Sequence, residues 1–345
     1  MTVSLTLVVN PAAGGGKPAR YLPEVTAVLD AAGASYLVSR STSLEHARTL
    51  AAEAAGRGDT VVAFGGDGLT GALAGAIAEA AGGPTPAAGC EGGWQGGRGV
   101  AEPSQVPEAE PSQVPKKAAS TRRAVTFGII PAGRGNDFAR TMKIPFEPSA
   151  AARLLLEGRS QQVDLIAVSG AAGTHAIVAG SVYVGIASVA GEIANRARLI
   201  RGPFAYKLAA LRALLGWRPT TFRVDTTSAD GKKATSEFRG YAVVVANMPY
   251  FGAGMKVAPG AHYSDGLLDV VMMRHGPKLT FVRVLMKIKD GSHIALDQVS
   301  TDRAAEITMT VDRPMPVGAD GELLTVLSPL HIRAMPAALN VIVPH

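Results

Sequence analysis

Two glycine-rich turns, each with an embedded carboxylate, hold the residues best suited to chemistry. Gly65-Gly66-Asp67-Gly68 follows the apolar run 61–64 and leads directly into an Ala-rich helical stretch. Pro131-Ala132-Gly133-Arg134-Gly135-Asn136-Asp137-Phe138-Ala139-Arg140 follows a second apolar run, 125–130. Glycines let backbone amides approach a phosphate, and a helix N-terminus adds partial positive charge at the same place. A carboxylate in such a turn repels bare phosphate unless it binds a metal or orients a nucleophile, so Asp67 and Asp137 point to a Mg·ATP site. Neither turn contains Gly-Lys-Ser/Thr, so neither is a Walker A loop.

The elements that must position these turns alternate in the first half of the chain. Apolar runs at 5–10, 36–39, 60–64 and 125–130 are separated by helical stretches at 20–32, 44–55 and from the Gly-rich turn to about 81. This βαβ rhythm predicts a Rossmann-like parallel sheet with its strand-to-helix turns gathered along one edge, where open α/β sheets bind ligands. After about residue 148 the pattern becomes short β-like runs at 162–168, 175–184, 221–226, 237–246, 267–273, 306–311 and 330–333. These predict a second, mostly antiparallel domain, a β-sandwich. The expected organisation is therefore an α/β domain over residues 1–148 and a β-rich domain over 149–345.

Between them, residues 82–123 turn to Gly, Pro, Ser, Gln and charge, and Ala-Glu-Pro-Ser-Gln-Val-Pro occurs at both 101–107 and 109–115. A loop of roughly forty residues with this composition cannot build a core and is expected to be a disordered insertion.

Together the two turns resemble the catalytic domain of diacylglycerol kinases and sphingosine kinases, in which GGDG after one strand is paired with PxGxxNDFAR after the next. The resemblance extends to Asn10-Pro11 with Gly14 to Lys17 as a first nucleotide loop. It continues through residues 247–254, through Val257-Ala258-Pro259 with Ser264-Asp265-Gly266-Leu267-Leu268-Asp269-Val270, and ends at Asp320-Gly321-Glu322. It implies a two-domain kinase with the active site in the cleft between domains and Glu322 as general base. It also implies nucleotide contacts at Asn10, Gly14, Lys17, Ser41, Gly65, Gly66, Asp67, Gly68, Gly133, Arg134 and Asn136, with Thr42 an equal candidate beside Ser41. A structural Mg²⁺ is expected at Asp265, through its carboxylate, with backbone near His262 and Leu267. Two departures stand out: Leu69 and Arg134 occupy positions where the family commonly has Thr. The acceptor implied is a membrane lipid, diacylglycerol first, with sphingoid bases or ceramide as alternatives. NAD kinase, which shares the GGDG loop, and a catalytically silent binder are the competing readings.

Composition bounds these expectations. The 345 residues carry 34 Lys plus Arg against 28 Asp plus Glu, a net charge of +6 that suits an anionic partner. No recognition helix, RNP or finger motif supports nucleic acid. One cysteine, Cys90, excludes an intramolecular disulfide and a cysteine-based zinc cluster. The opening MTVSLTLVVN lacks a positive n-region and reads as a buried strand, so a cytoplasmic protein is expected. Residues 176–191 are uncharged but too short and too broken by Gly and Ser to span a bilayer, which needs about 20 apolar residues. Between Glu192 and Asp225 there is no acid, yet seven Lys and Arg residues are interleaved with Phe204, Leu208, Leu211, Leu215 and other apolar residues. That stretch suits peripheral contact with an anionic membrane or packing on its own domain. The oligomeric state is left open, homodimer included.

Overall fold

The computed structural model describes residues 4–82, 125–171, 174–196, 212–324 and 328–345, without the side chains of 194–196. The repeat-bearing insertion, Cys90 and most of the basic stretch after Arg196 lie outside the described residues.

The first half is a parallel sheet with strands β1 (Leu5–Val9), β2 (Tyr36–Arg40), β3 (Thr60–Gly65) and β4 (Thr126–Pro131), ordered β2-β1-β3-β4. β1, β3 and most of β4 are buried along their length, as continuous apolar runs require in a sheet covered on both faces. Helices α1 (Lys17–Ala31) and α5 (Pro148–Glu157) cover one face through Val25, Leu29, Ala151, Ala152 and Leu155. Helices α2 (Leu44–Arg57) and α3 (Asp67–Ala80) cover the other, chiefly through alanines that let them pack closely. β1 lies between β2 and β3, so the strand order reverses there, and the crevice at that reversal opens beside the turns after β1 and β3.

The second half is antiparallel. β7 (Ser181–Gly185), β9 (Lys233–Ala246), β8 (Thr220–Thr227) and β12 (Glu306–Val311) are neighbours in that order, and β10 (Leu268–Arg274) pairs with β9 and with β11 (Val299–Ala304). The hairpin β13 (Val317–Ala319) and β14 (Glu322–Leu324) extends the β7 edge. A parallel sheet flanked by helices followed by an antiparallel sandwich is the architecture expected.

Two strands tie the halves together. β15 (Leu330–Val343) pairs with β12 through Leu330–Arg333 and, after a register shift between Met335 and Leu339, runs parallel to β4 at Asn340 and Val341. β5 (Arg159–Ser169) accompanies it antiparallel on both sides of the shift. Buried Asp164 holds the bend: its carboxylate accepts from Ala337 N–H at 2.8 Å and Gly266 N–H at 2.7 Å.

The run read as one β segment over 175–184 is two strands, β6 (His175–Val178) and β7. The break falls at Ala179-Gly180, where the N–H groups of Ala179, Gly180 and Ser181 donate to the Asp320 carboxylate at 2.9–3.0 Å. A side chain from 140 residues away thus substitutes for a ladder partner. Further helices are α4 (Asp137–Thr141), α6 (Ile186–Arg196) and α7 (Lys278–Lys287), the last of which the strand-dominated reading of the second half did not anticipate.

Candidate active site

The turns after β1, β3 and β4 meet. A side chain on Gly133 would collide with the Cα of Gly66, and one on Gly14 with the carbonyl of Ala132, so glycine is what allows the three loops to abut. Asn136 takes the left-handed conformation (φ 54°), and its Oδ1 accepts the Gly133 N–H at 2.9 Å, locking the second turn. Asn10 does the same for the first, its Oδ1 accepting from Ala12 N–H at 3.1 Å. Lys17 begins α1 half-buried, and its stem lies beside Gly14.

Asp67 opens α3 and Asp137 opens α4, and each is held by backbone amides. Asp67 Oδ1 accepts from Phe138 N–H at 3.2 Å. Asp137 accepts from Ala253 N–H at 2.8 Å and Gly254 N–H at 2.7 Å, reaching across to the loop after β9. Burial, followed by the nearby Asp137 charge, holds the Asp67 carboxyl above its ordinary range, against the lowering effect of amides at 136–138.

Asp320-Gly321 is a two-residue hairpin turn with positive φ at both positions (47° and 89°). It aims its two acidic neighbours differently. Asp320 turns inward to the amides of 179–181, and its burial pushes it up to about 6 despite those donors. Glu322, the first residue of β14, points at the N-terminus of α3, where its Oε1 lies 3.1 Å from the place a Cβ would take on Gly68. Burial raises the Glu322 carboxyl, and among the described residues no hydrogen-bond donor holds it. Asp67, Asp137, Glu322, the three loops and the N-terminus of a 14-residue helix therefore share one region.

Four further positions singled out in the sequence have these surroundings. Ser41 is buried, and its hydroxyl donates to Val9 carbonyl at 3.2 Å, while Thr42 Oγ1 meets His46 Nδ1 at 3.0 Å. Leu69 faces the core against Gly65; the hydroxyl next along, Thr70, donates to Gly66 carbonyl at 3.2 Å. Arg134 is exposed on the second turn.

In the 262–269 loop, where a structural metal was expected, the side chains are partnered as follows. Asp265 forms an ion pair with Arg303, and its other oxygen accepts Leu267 N–H at 3.0 Å. Arg303 Nε also lies 3.4 Å from Asp269 Oδ2, a buried oxygen that has no hydrogen-bond partner among the described residues. His262 stacks on Tyr263 with its Nδ1 3.3 Å from Ser264 Oγ. Among the described residues no three His, Cys, Asp or Glu side chains gather as a metal site.

Residues missed from the sequence are buried polar ones. Asn247, fully buried, donates from Nδ2 to the carbonyls of Asp164 (2.7 Å) and Ala179 (3.1 Å), bracing the segment that Asp320 holds. Its signals were its place at the end of an apolar strand and at the head of the 247–254 stretch of the resemblance, neither of which announced its carbonyl partners.

Residues 4–168 match the diacylglycerol kinase catalytic domain, and residues 180–343 match the YegS C-terminal NAD kinase beta sandwich-like domain. A diacylglycerol kinase of Mycobacterium tuberculosis (strain H37Rv) is 34% identical over 222 residues, covering 64% of this chain and 70% of that protein. A diacylglycerol kinase of Bacillus subtilis (strain 168) is 27% identical over 198 residues, covering 57% and 62%. The crystal structure of a diacylglycerol kinase from Bacillus anthracis str. Sterne shares the fold with a TM-score of 0.64, 20% identity and coverage of 99% and 97%. The class is that of kinases with a catalytic α/β half and a β-sandwich half. The chain belongs to the diacylglycerol kinase family of lipid kinases. No helix among the described residues is long and apolar enough to cross a membrane.

Proposed function

We propose that the chain transfers the γ-phosphate of ATP to the hydroxyl of a membrane lipid, diacylglycerol being the favoured acceptor and phosphatidic acid the product. The observation that carries this reading is Glu322: a carboxylate of raised basicity, with no described donor, against the first turn of α3 where three loops converge. In this reading Glu322 takes the proton of the lipid hydroxyl as its oxygen attacks the γ-phosphorus, and the bond to the ADP oxygen breaks in line. The free amides of the first turn of α3 receive the γ-phosphate.

Mg²⁺ enters with ATP as part of the substrate, and its charge suits Asp67, whose raised carboxyl lacks a cationic partner among the described residues. Asp137 positions: it fastens the second turn to Ala253 and Gly254 and so aligns the halves, divided near residue 148, that carry nucleotide and base. Asn10, Gly14, Lys17, Ser41, Gly65, Gly66, Gly68, Gly133, Arg134 and Asn136 are the nucleotide contacts of this proposal. Ser41 contributes through its buried place beside the first loop.

The test is transfer from γ-labelled ATP with Mg²⁺, offering diacylglycerol, sphingosine, ceramide and NAD separately, with Glu322→Ala alongside. Labelled phosphatidic acid from the wild type and none from the variant is expected. Label on sphingosine or ceramide alone would move the acceptor within lipids, label on NAD alone would move the reaction to NAD kinase, and no label anywhere would leave a silent binder.

A further inference from the structure

The outer face of α7 combines greasy and cationic side chains that no packing among the described residues explains. Phe281 and Val284, followed by Ile288, fix the helix to the sandwich, Phe281 stacking on Tyr241 at 4.2 Å. Leu279 and Met286 are seven residues apart, two helical turns, and so share the opposite pole. They are 69% and 68% exposed, and with Leu215 at 65% they are the three most exposed large apolar side chains among the described residues. Leu215 belongs to the same surface, since Lys278 Nζ donates to its carbonyl at 2.7 Å.

The charges are one-sided. Lys278 and Lys289 flank the apolar ridge on one side, Arg283 and Lys287 on the other, all exposed, and no acid occurs from 278 to 289. Asp290, the next residue, spends its carboxylate on Ser292 N–H (2.9 Å) and Ser292 Oγ (2.7 Å). Arg212 and Arg218 are exposed on either side of Leu215.

We propose that this face is the surface by which the protein docks on a bilayer rich in anionic lipid, with Leu279, Met286 and Leu215 entering the headgroup boundary. An apolar ridge flanked by Lys and Arg is what an interfacial helix needs, the cations adding attraction to the negative leaflet. The same charge argues against a second copy as occupant, because two such faces would repel. The inference rests on the lipid-kinase reading only for why the chain should visit a bilayer, and its test requires no catalysis.

The experiment is co-sedimentation of the full chain with phosphatidylcholine vesicles, with and without phosphatidylglycerol, at low and high salt. The comparison protein is Leu279→Glu/Met286→Glu, with thermal unfolding to check its fold and transfer to a short-chain, water-dispersed diacylglycerol to check its site. Binding to anionic vesicles that salt weakens, at least about tenfold weaker in the variant, is expected. Lys287→Glu/Arg283→Glu is expected to act in the same direction and to lose the salt dependence. The proposal is overturned if the variants bind anionic vesicles as the wild type does, or if the wild type binds neutral vesicles equally. A loss of wild-type self-association in the variants, without a change in vesicle binding, would assign the face to a second copy and overturn it too. Failure of kinase activity with vesicle binding intact would strike the functional reading and leave this one standing.

Discussion

The 262–269 loop and the convergence of turns around Asp67 both collect carboxylates, and they answer the charge differently. In the loop, Arg303 from the neighbouring strand pairs with Asp265 and approaches Asp269. Around Asp67, backbone amides fasten Asp67, Asp137 and Asp320, and Glu322 has no described donor. The only ion pair there among the described residues is a 3.9 Å approach of Arg140 to Asp137. A cluster neutralised by its own chain holds a fold together. One held rigid by dipoles but left anionic suits the cation that, in the function proposed above, arrives with ATP.

The largest expected effect that would break this contrast is at Glu322. Glu322→Gln keeps the shape and removes the base, so kcat should fall on the order of 10²–10⁴-fold with little change in unfolding temperature. A loss of stability instead would make Glu322 one more structural carboxylate. Next comes Asp320→Ala, which strands three amide donors at 179–181 in a buried site. A loss of roughly 3 kcal/mol is expected from urea unfolding, together with reduced kcat, because the turn that aims Glu322 loses its anchor.

pH sharpens the comparison. In the proposed reaction Glu322 and Asp67 act ionised, and burial raises both, so the acid limb of kcat/KM should lie above the ordinary carboxylate range and should change with Glu322→Gln. Asp320 also titrates high, about 6 against 3.8 in the unfolded chain. The folded state therefore binds that proton more tightly, a stabilising effect complete below about pH 4 and lost as pH rises through 6. Asp320→Asn should flatten the slope of stability against pH over that window. The smallest effect belongs to the loop. Arg303→Gln removes a partly exposed pair and should cost about 1 kcal/mol or less. The wild type should unfold at the same temperature in Mg²⁺ and in chelator, whereas a rise with Mg²⁺ would return the loop to the metal ions.

What was legible in the sequence was local. Gly65 to Gly68 and Gly133 to Asn136 declare their turns through residue type, and the period of the apolar runs declares which half is parallel. The partner of a buried carboxylate is not local: nothing near Asp265 announces Arg303, and nothing near Asp320 announces the amides at 179–181. The same holds for Leu69, whose place after the GGDG turn suggested a lost hydroxyl contact at the loop. Its burial against Gly65 shows a core position, which only the direction of α3 could reveal. The stripe through Phe204, Leu208 and Leu211 lies outside the described residues, and of its members Leu215 alone can be placed, exposed.

The course of β15 has a consequence for how the protein is made. Its residues near 340 pair with a strand laid down more than 200 residues earlier, and its residues near 330 belong to the other half. As the chain leaves the ribosome, the parallel sheet must therefore wait, with β4 incompletely paired, until nearly everything else has been synthesised. The two halves therefore share their last strand, and a cut that separates them leaves β4 or β12 without its β15 partner.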